Sequence, residues 1–156
     1  DILSAPEEAR LAVLGCHVLL EQGDSPALIF DIGGGSTELS WVSLDPRRPV
    51  GDPELFLDQR GEGLNPDGAA TDADGAIWVA QWGAGRVSRF YPNGELERTI
   101  LVPARHSTCP CFGGPDLDRL YVTSAIEGLD DPTPADGRTF VLSPGVSGLP
   151  ASRVAL

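Results

Sequence analysis

The residues best suited to chemistry lie at positions 31–38, which read Asp-Ile-Gly-Gly-Gly-Ser-Thr-Glu. Consecutive glycines let backbone N–H groups turn toward an anion without obstruction by Cβ atoms, and neighbouring hydroxyls add donors. The donors of a phosphate-binding loop would come from Gly33, Gly34, Gly35, Ser36 and Thr37. The flanking carboxylates of Asp31 and Glu38 suit a hard cation such as Mg²⁺. A glycine turn that merely links two strands is the alternative, because a lone glycine-rich loop is a weak signal.

The segments around this loop predict a small α/β unit. The Ser-Ala-Pro-Glu sequence at residues 4–7 fits a capping box and predicts that a helix starts at Ser4. Apolar runs at residues 27–32 and 38–42 predict two strands on either side of the glycines. The expected order is therefore helix, strand, tight glycine loop, strand.

Two pieces of this unit resemble the exopolyphosphatase and guanosine pentaphosphatase family: Pro-Glu-Glu-Ala-Arg-Leu at residues 6–11 and Asp-Ile-Gly-Gly-Gly-Ser-Thr-Glu-Leu at 31–39. The resemblance implies an actin-like ATPase fold, a polyphosphate-type substrate and Mg²⁺ as cofactor. It assigns Glu8 as the general base, Asp31 and Glu38 as the metal-associated carboxylates, and residues 33–37 as the phosphate loop. The matching part covers about residues 1–45, a small part of a family member.

The composition is that of an acidic globular protein, with 41% hydrophobic residues, 22% charged residues and a formal net charge of −12. This charge argues against nucleic acid and against an anionic membrane surface as partners. The apolar stretch at residues 11–20 is too short to span a membrane, and no signal peptide is visible. The chain contains no methionine, so we expect it to belong to a longer or processed protein.

Three cysteines, Cys16, Cys109 and Cys111, make an odd number and lack the paired spacing of a zinc site. We expect buried free thiols in a reducing, cytoplasmic environment, because a free cysteine behaves as a small core residue. His17 and His106 lack partners at metal-binding spacing, and a surface position is the simpler expectation for His106.

A linker is predicted where residues 44–53 hold three prolines and a glycine. It divides the chain into an α/β fragment at 1–45, a linker at 46–54 and a second unit at 55–156. Asp-Gly, Gly-Ala-Gly and Asn-Gly turns separate the short β runs of that unit. The expected strands are residues 69–72, 77–81, 86–91, 96–101, 108–112, 120–123 and 139–142. Their spacing suits propeller blades, and the open sheet edges predict self-association.

Motifs of the second unit resemble the gluconolactonase and regucalcin family: Asn-Pro-Asp-Gly at residues 65–68, Ile-Trp-Val-Ala-Gln-Trp at 77–82 and Cys-Pro-Cys-Phe-Gly-Gly-Pro-Asp-Leu-Asp at 109–118. The resemblance implies a six-bladed β-propeller that opens sugar lactones with one cation, Ca²⁺ or Zn²⁺. It assigns Asp67 as a metal ligand and candidate general base, whereas the other ligands belong to earlier blades. A Pro-Asp-Gly type I turn without a ligand is the alternative for Asp67.

The expected fold is mostly β, a partial six-bladed propeller of about two blades preceded by a small α/β fragment of actin-like ATPase type. The first functional hypothesis is a fragment of a metal-dependent sugar lactone hydrolase, incomplete and inactive in isolation. The alternatives are a fragment of a polyphosphate or guanosine pentaphosphate phosphohydrolase, and a non-catalytic chimera with neither site complete. Four aromatic side chains are expected to pack between blades rather than to bind sugar: Trp78, Trp82, Phe90 and Tyr121.

Overall fold

The computed structural model describes residues 26–33, 36–43, 56–57, 59, 62 and 64–150. The chain divides into two compact units, Asp1–Asp58 and Gln59–Leu156. The helix predicted to start at Ser4 and the whole of the predicted linker at 46–54 lie outside the described residues, so both stay predictions.

A β-hairpin forms the described part of the first unit. Strands β1 (Pro26–Gly33) and β2 (Ser36–Ser43) pair in antiparallel fashion, with Gly33 opposite Ser36. Both strands occur where the apolar runs predict them and extend slightly further at each end. The glycine segment therefore connects two paired strands.

The second unit begins with a four-stranded antiparallel sheet of order β3-β4-β5-β6. Its strands are β3 (Asn65–Thr71), β4 (Ile77–Trp82), β5 (Arg86–Phe90) and β6 (Leu96–Leu101). The turn between β5 and β6 contains Gly94 at a φ of 82°, a conformation that glycine adopts without strain. The Asn-Gly pair predicted to form this hairpin therefore lies in its turn.

A three-stranded antiparallel sheet follows, with the order β7-β8-β9. Its strands are β7 (His106–Gly113), β8 (Arg119–Ala125) and β9 (Thr139–Leu142). The carboxylate of Asp136 anchors the long loop between β8 and β9, because it accepts hydrogen bonds from the backbone N–H groups of Arg105 and Thr133, both at 2.8 Å. This loop is therefore tied to the start of β7.

The core of the second unit lies between its two sheets. Trp78 on β4 contacts Phe112 on β7 edge to face, with 6.2 Å between the ring centroids. The buried members of this core are Trp78, Ala80, Val87, Val102, Ala104, Leu120 and Val122. Phe90 is also buried, so Trp78 and Phe90 are packing residues, as predicted.

The start of β3 differs from the sequence-based expectation. The prediction began this strand at residue 69 and favoured a turn at Asn-Pro-Asp-Gly, whereas the strand begins at Asn65. Asn65 and Pro66 already pair with Trp82 and Gln81 of β4. Pairing with β4 therefore overrides the local turn preference of this sequence, and Asp67 lies within a strand.

The expectation of buried thiols is wrong for Cys109 and Cys111, which are both free and exposed. They alternate along β7 with Pro110, which is buried, and with Phe112, which packs on the core. Because side chains on a strand alternate between faces, Cys111 lies on the side of the sheet opposite Pro110 and Phe112, whereas Cys109 lies at an irregularity in the pairing of β7 with β8. Cys16 lies outside the described residues. Within the described part of the chain, no helix is long and apolar enough to cross a bilayer.

Candidate functional site

Matching β-bulges occur in the first strands of the two larger sheets. In the pairing of β3 with β4, two residues of β3 between Pro66 and Ala69 lie opposite a single residue of β4. These two residues, Asp67 and Gly68, form the bulge. The pairing of β7 with β8 skips in the same way between Ser107 and Pro110, at residues 108–109. Bulges of this kind redirect side chains and often lie beside functional sites.

The two bulges pack directly against each other at Gly68. A Cβ atom on this residue would lie 2.8 Å from the Sγ of Cys109 and 2.8 Å from the carbonyl oxygen of Thr108. Both distances are shorter than van der Waals contact, so the close approach requires glycine. Asp67 is therefore held beside β7.

Asp67 is half-buried, and burial raises the pKa of its carboxyl group. A hydrogen bond from the backbone N–H of Gly68 opposes this rise but does not cancel it. Although Cys109 is exposed as a residue, its Sγ packs near Gly68, and this partial burial raises the pKa of the thiol, which the nearby Cys111 and Asp67 raise further. A carboxylate with a raised pKa is a stronger base than an ordinary aspartate, which is the property that a general base needs.

The hydroxyl of Thr108 is engaged elsewhere. Its Oγ1 lies 2.6 Å from Oγ1 of Thr123 on β8, and the backbone N–H of Cys109 donates to the same Thr123 oxygen at 3.2 Å. These bonds fix the backbone of the β7 bulge. The Sγ of Cys109 lies 3.7 Å from the carbonyl oxygen of Pro110, which is a long contact.

An aromatic stack lies at the same end of the two sheets as Asp67. The Trp82 ring stacks on the His106 imidazole, with 4.1 Å between centroids and 23° between planes. Nδ1 of His106 lies 3.0 Å from the carbonyl oxygen of Glu127, which orients the ring. The packing role predicted for Trp82 is therefore seen, and His106, which was expected at the surface, is partly exposed and partly covered by this stack.

A metal site requires more donors than the described residues bring together. Among residues 64–150 and the other described positions, no three His, Cys, Asp or Glu side chains form a metal-binding group. Ca²⁺ takes about six to eight oxygen ligands, of which Asp67 could supply at most two. The side chains described here therefore do not by themselves fit a complete calcium site.

A second buried carboxylate, Asp72, lies at the opposite end of β3 and has a structural role. It accepts hydrogen bonds from Trp78 Nε1 at 2.9 Å and from Arg89 Nε at 2.7 Å. Burial would raise its pKa, but the bonds from Arg89, Trp78 and the backbone of Ala76 outweigh that effect and lower it. Asp72 was not predicted as a buried ion-pair residue, and its one local signal is its position just before an Asp-Gly turn.

The other predicted site residues belong to the first unit. Asp31 pairs directly with Glu38 across the β1–β2 hairpin, and Ile32 pairs with Thr37. Gly33 and Ser36 close the same ladder, whereas Gly34, Gly35 and Glu8 lie outside the described residues. Asp31 and Glu38, the two residues predicted to bind a metal, are therefore direct cross-strand neighbours in the backbone pairing.

Residues 34–126, more than half of the chain, match the family model described as the SMP-30/Gluconolactonase/LRE-like region. The chain belongs to this family. The resemblance predicted from the Asn-Pro-Asp-Gly, Trp-Val-Ala and Phe-Gly-Gly motifs is thereby confirmed. Residues 1–51 match the model of the Ppx/GppA phosphatase family, and the two matches overlap at 34–51. As predicted, the chain therefore combines segments that match two different families.

Relatives of known structure and activity support the same assignment. The crystal structure of a calcium-binding protein, regucalcin, from Agrobacterium tumefaciens strain C58 has a TM-score of 0.64 and 42% identity, and the match covers 72% of this chain and 40% of that one. Regucalcin from Danio rerio is 42% identical over 130 residues, which cover 80% of this chain and 42% of the relative. An L-arabinolactonase from Azospirillum brasilense is 40% identical over 95 residues, covering 58% of this chain and 31% of the relative.

These comparisons bear on the fold as well as the family. The mostly β architecture with antiparallel sheets is confirmed, and its structural neighbours are regucalcin-like. In each of the matches above, the chain spans about two fifths of the relative's length or less.

Proposed function

We propose that residues 59–150 form the C-terminal part of a sugar lactone hydrolase in which Asp67 acts as general base and cation ligand. One observation carries the proposal: Asp67 is held half-buried at a bulge, with a raised pKa, on the first strand of its sheet. A base of this kind can accept the proton of a water molecule that attacks a lactone carbonyl. The lactonase and regucalcin relatives support the substrate class.

We further propose that this chain alone does not turn over a lactone. Hydrolysis needs a base and a group that stabilises charge developing on the carbonyl oxygen. The described residues provide the first at Asp67, whereas they contain no group of three donors for a cation, Ca²⁺ or Zn²⁺, that could provide the second.

A graft tests the role of Asp67. Residues 59–150 replace the matching part of the Agrobacterium regucalcin, and lactone opening is followed by the acid released at constant pH. We expect the hybrid to hydrolyse D-glucono-δ-lactone and Asp67→Asn to lower kcat by about 100-fold or more. Asp130→Asn, which changes an exposed loop carboxylate, serves as the matched control and should leave kcat unchanged. An active Asp67→Asn hybrid would disprove the proposed base.

The second candidate function is phosphoanhydride hydrolysis by the first unit. It is favoured by the register of Asp31 opposite Glu38 and by the Ppx/GppA match at residues 1–51. In this alternative the unit has the actin-like ATPase fold, residues 33–37 hold the phosphate, Mg²⁺ binds at Asp31 and Glu38, and Glu8 is the base. Mg²⁺-dependent phosphate release from polyphosphate, lost in Glu8→Gln, would support it, and no release would leave the non-catalytic chimera as the better account.

Self-association through sheet edges is the partner proposal that follows from this fold. Strand β9 is the last strand of a three-stranded sheet, and Val141 on it is 55% exposed. A strand edge with an exposed apolar side chain favours pairing with another copy. We further propose a reducing, cytoplasmic location, because free thiols persist where disulfides are rare.

A further inference from the structure

We propose that residues 143–148, which we call the strap, open as a separate unit while both sheets stay paired, and that backbone strain at Leu117 sets how readily the strap opens. The strap follows β9 and belongs to neither sheet of the second unit. It acts as a clasp over the core between these sheets.

Two backbone hydrogen bonds join the strap to the turns that follow the first strands of the two sheets. The N–H of Ala73, in the turn after β3, donates to the carbonyl oxygen of Ser147 at 2.8 Å. The N–H of Gly148 donates to the carbonyl oxygen of Leu117, in the turn after β7, also at 2.8 Å. Gly148 in addition forms an isolated antiparallel bridge with Asp72. Two consecutive strap residues therefore tie one sheet to the other.

The strap also covers one end of the core. Pro144 and Gly148 are buried, and Val146 packs against the core cluster. A Cβ atom at Gly148 would overlap the Cβ atom of Phe112, so the close approach of the strap requires glycine. Nη1 of Arg98 on β6 donates to the carbonyl oxygen of Pro144 at 3.1 Å. The closed strap therefore shields apolar surface that would otherwise contact water.

The residue that accepts the hydrogen bond of Gly148 has a strained backbone. Leu117 has a φ of 53° and is the one non-glycine residue with a positive φ in the described part of the chain. This conformation is unfavourable for leucine because the Cβ atom crowds the following carbonyl oxygen. The closed strap holds the turn in this conformation, and release of the strap lets the turn relax. Strain at Leu117 therefore opposes closure.

The pairing of the two sheets is largely independent of the strap. Their backbone ladders run from β3 to β6 and from β7 to β9, and the strap adds only the isolated bridge at Gly148. Segments outside a regular ladder open at lower free energy than paired core strands. The strap should therefore detach first, and Phe112 at the core end then becomes accessible to water.

Native-state hydrogen exchange on the unaltered full chain tests this opening. The amides of Ala73 and Gly148 report the two strap bonds, whereas those of Val79 and Val122, on fully buried positions of β4 and β8, report the sheets. We expect protection factors at Ala73 and Gly148 that match each other, are at least about tenfold lower than those of the sheet amides, and depend weakly on urea. Exchange of all these amides only by global unfolding, or unequal protection at Ala73 and Gly148, would overturn the proposal.

A substitution that blocks closure gives a second test. Gly148→Ala should lower the protection factor of Ala73 by about tenfold or more, because the added methyl group meets Phe112. The amide of Val79 should remain protected, which shows that its sheet stays folded. Ser147→Ala, a change of an exposed strap side chain that adds no Cβ atom, is the matched control and should leave Ala73 protected. Full protection of Ala73 in Gly148→Ala, or loss of all protection at Val79, would contradict a separate strap.

A substitution that relieves the strain should have the opposite effect. Asparagine tolerates a positive φ better than leucine, so Leu117→Asn should raise the protection factors of Ala73 and Gly148 by about threefold or more. Asp116→Asn changes an exposed neighbour in the same turn without a positive φ and should leave both values unchanged. Unchanged or lower protection in Leu117→Asn would show that strain at this residue does not set strap opening.

Discussion

Nε of Arg89 donates a hydrogen bond to Oδ2 of Asp72 across 2.7 Å, and both side chains are almost completely buried, with 4% and 0% exposure. The other oxygen of Asp72 accepts from the backbone N–H groups of Asp74 and Ala76, each at 3.0 Å. This ion pair joins β5 to the turn between β3 and β4. A buried charge in such a network depends on its partner, because removal of one member leaves the other without compensation.

Replacement of Asp72 should therefore be strongly destabilising. We expect Asp72→Ala to lower the free energy of unfolding by about 3–5 kcal/mol, as is typical of a broken buried ion pair. Asp74→Ala removes a carboxylate that also bonds Arg89 but is 67% exposed, and should cost about 0–1 kcal/mol. Urea denaturation followed by tryptophan fluorescence measures both. Equal effects of the two substitutions would contradict a dominant role for the buried pair.

Acid should destabilise the protein through Asp72 and Asp136. Hydrogen bonds from the backbone of Arg105 and Thr133 lower the pKa of Asp136, and Asp72 also has a lowered pKa. Groups whose folded-state pKa is depressed contribute stability above their unfolded pKa, about 3.9 for aspartate, and lose it as the pH falls through the folded value. The stabilisation that these two carboxylates contribute should therefore stay level from neutral pH to about 5 and decrease below about 4. Asp136→Asn should reduce stability at neutral pH and make the acid loss smaller.

Asp67 should behave in the opposite way. Burial raises its pKa, so the ionised side chain opposes folding at neutral pH, and this cost appears as the pH rises above the unfolded value. We expect Asp67→Asn to raise the free energy of unfolding at pH 7 and to have little effect near pH 3. A lower stability of Asp67→Asn at pH 7 would show that this carboxylate is a structural residue.

The contact between the two bulges can be tested at Gly68. A Cβ atom here would lie within 2.9 Å of the backbone of Cys109, so we expect Gly68→Ala to cost about 1–3 kcal/mol through overpacking. Gly83→Ala is an informative comparison, because Gly83 has open space around it but a φ of 80°, and should cost about 1 kcal/mol. Thermal unfolding of the two variants compares the cost of a steric clash at Gly68 with the cost of backbone strain at Gly83. A neutral Gly68→Ala would contradict the close approach of β3 and β7.

Local patterns predicted the strands well where turn signals and pairing agree. The strand Thr139–Leu142 has the predicted bounds, and β4 differs from its prediction only by the inclusion of Trp82. The prediction failed at Asn65–Gly68, where a strong turn sequence is held in a strand by its pairing with β4 and by its packing on β7. Local propensity could not reveal this, because both contacts are tertiary.

The candidate site was accessible from sequence only in part. Asp67 was identified through a family motif, whereas no local signal places the β7 bulge against its neighbour Gly68. That contact arises from the packing of two separate sheets. Arg89 and Asp72 were missed for a similar reason, since their pairing depends on the strand order of one sheet.

In β3 and in β7, the side chains presented at the bulge are separate from the regular backbone pairing that holds each strand in its sheet. Regular pairing resumes after Asp67–Gly68 in β3 and after residues 108–109 in β7, whatever side chains those positions carry. Apart from Gly68, which β7 packs against, and Thr108, whose hydroxyl is bonded to Thr123, these positions should accept new side chains at little cost to folding. A repeat built in this way can therefore present different side chains at its bulges with no new strand or loop.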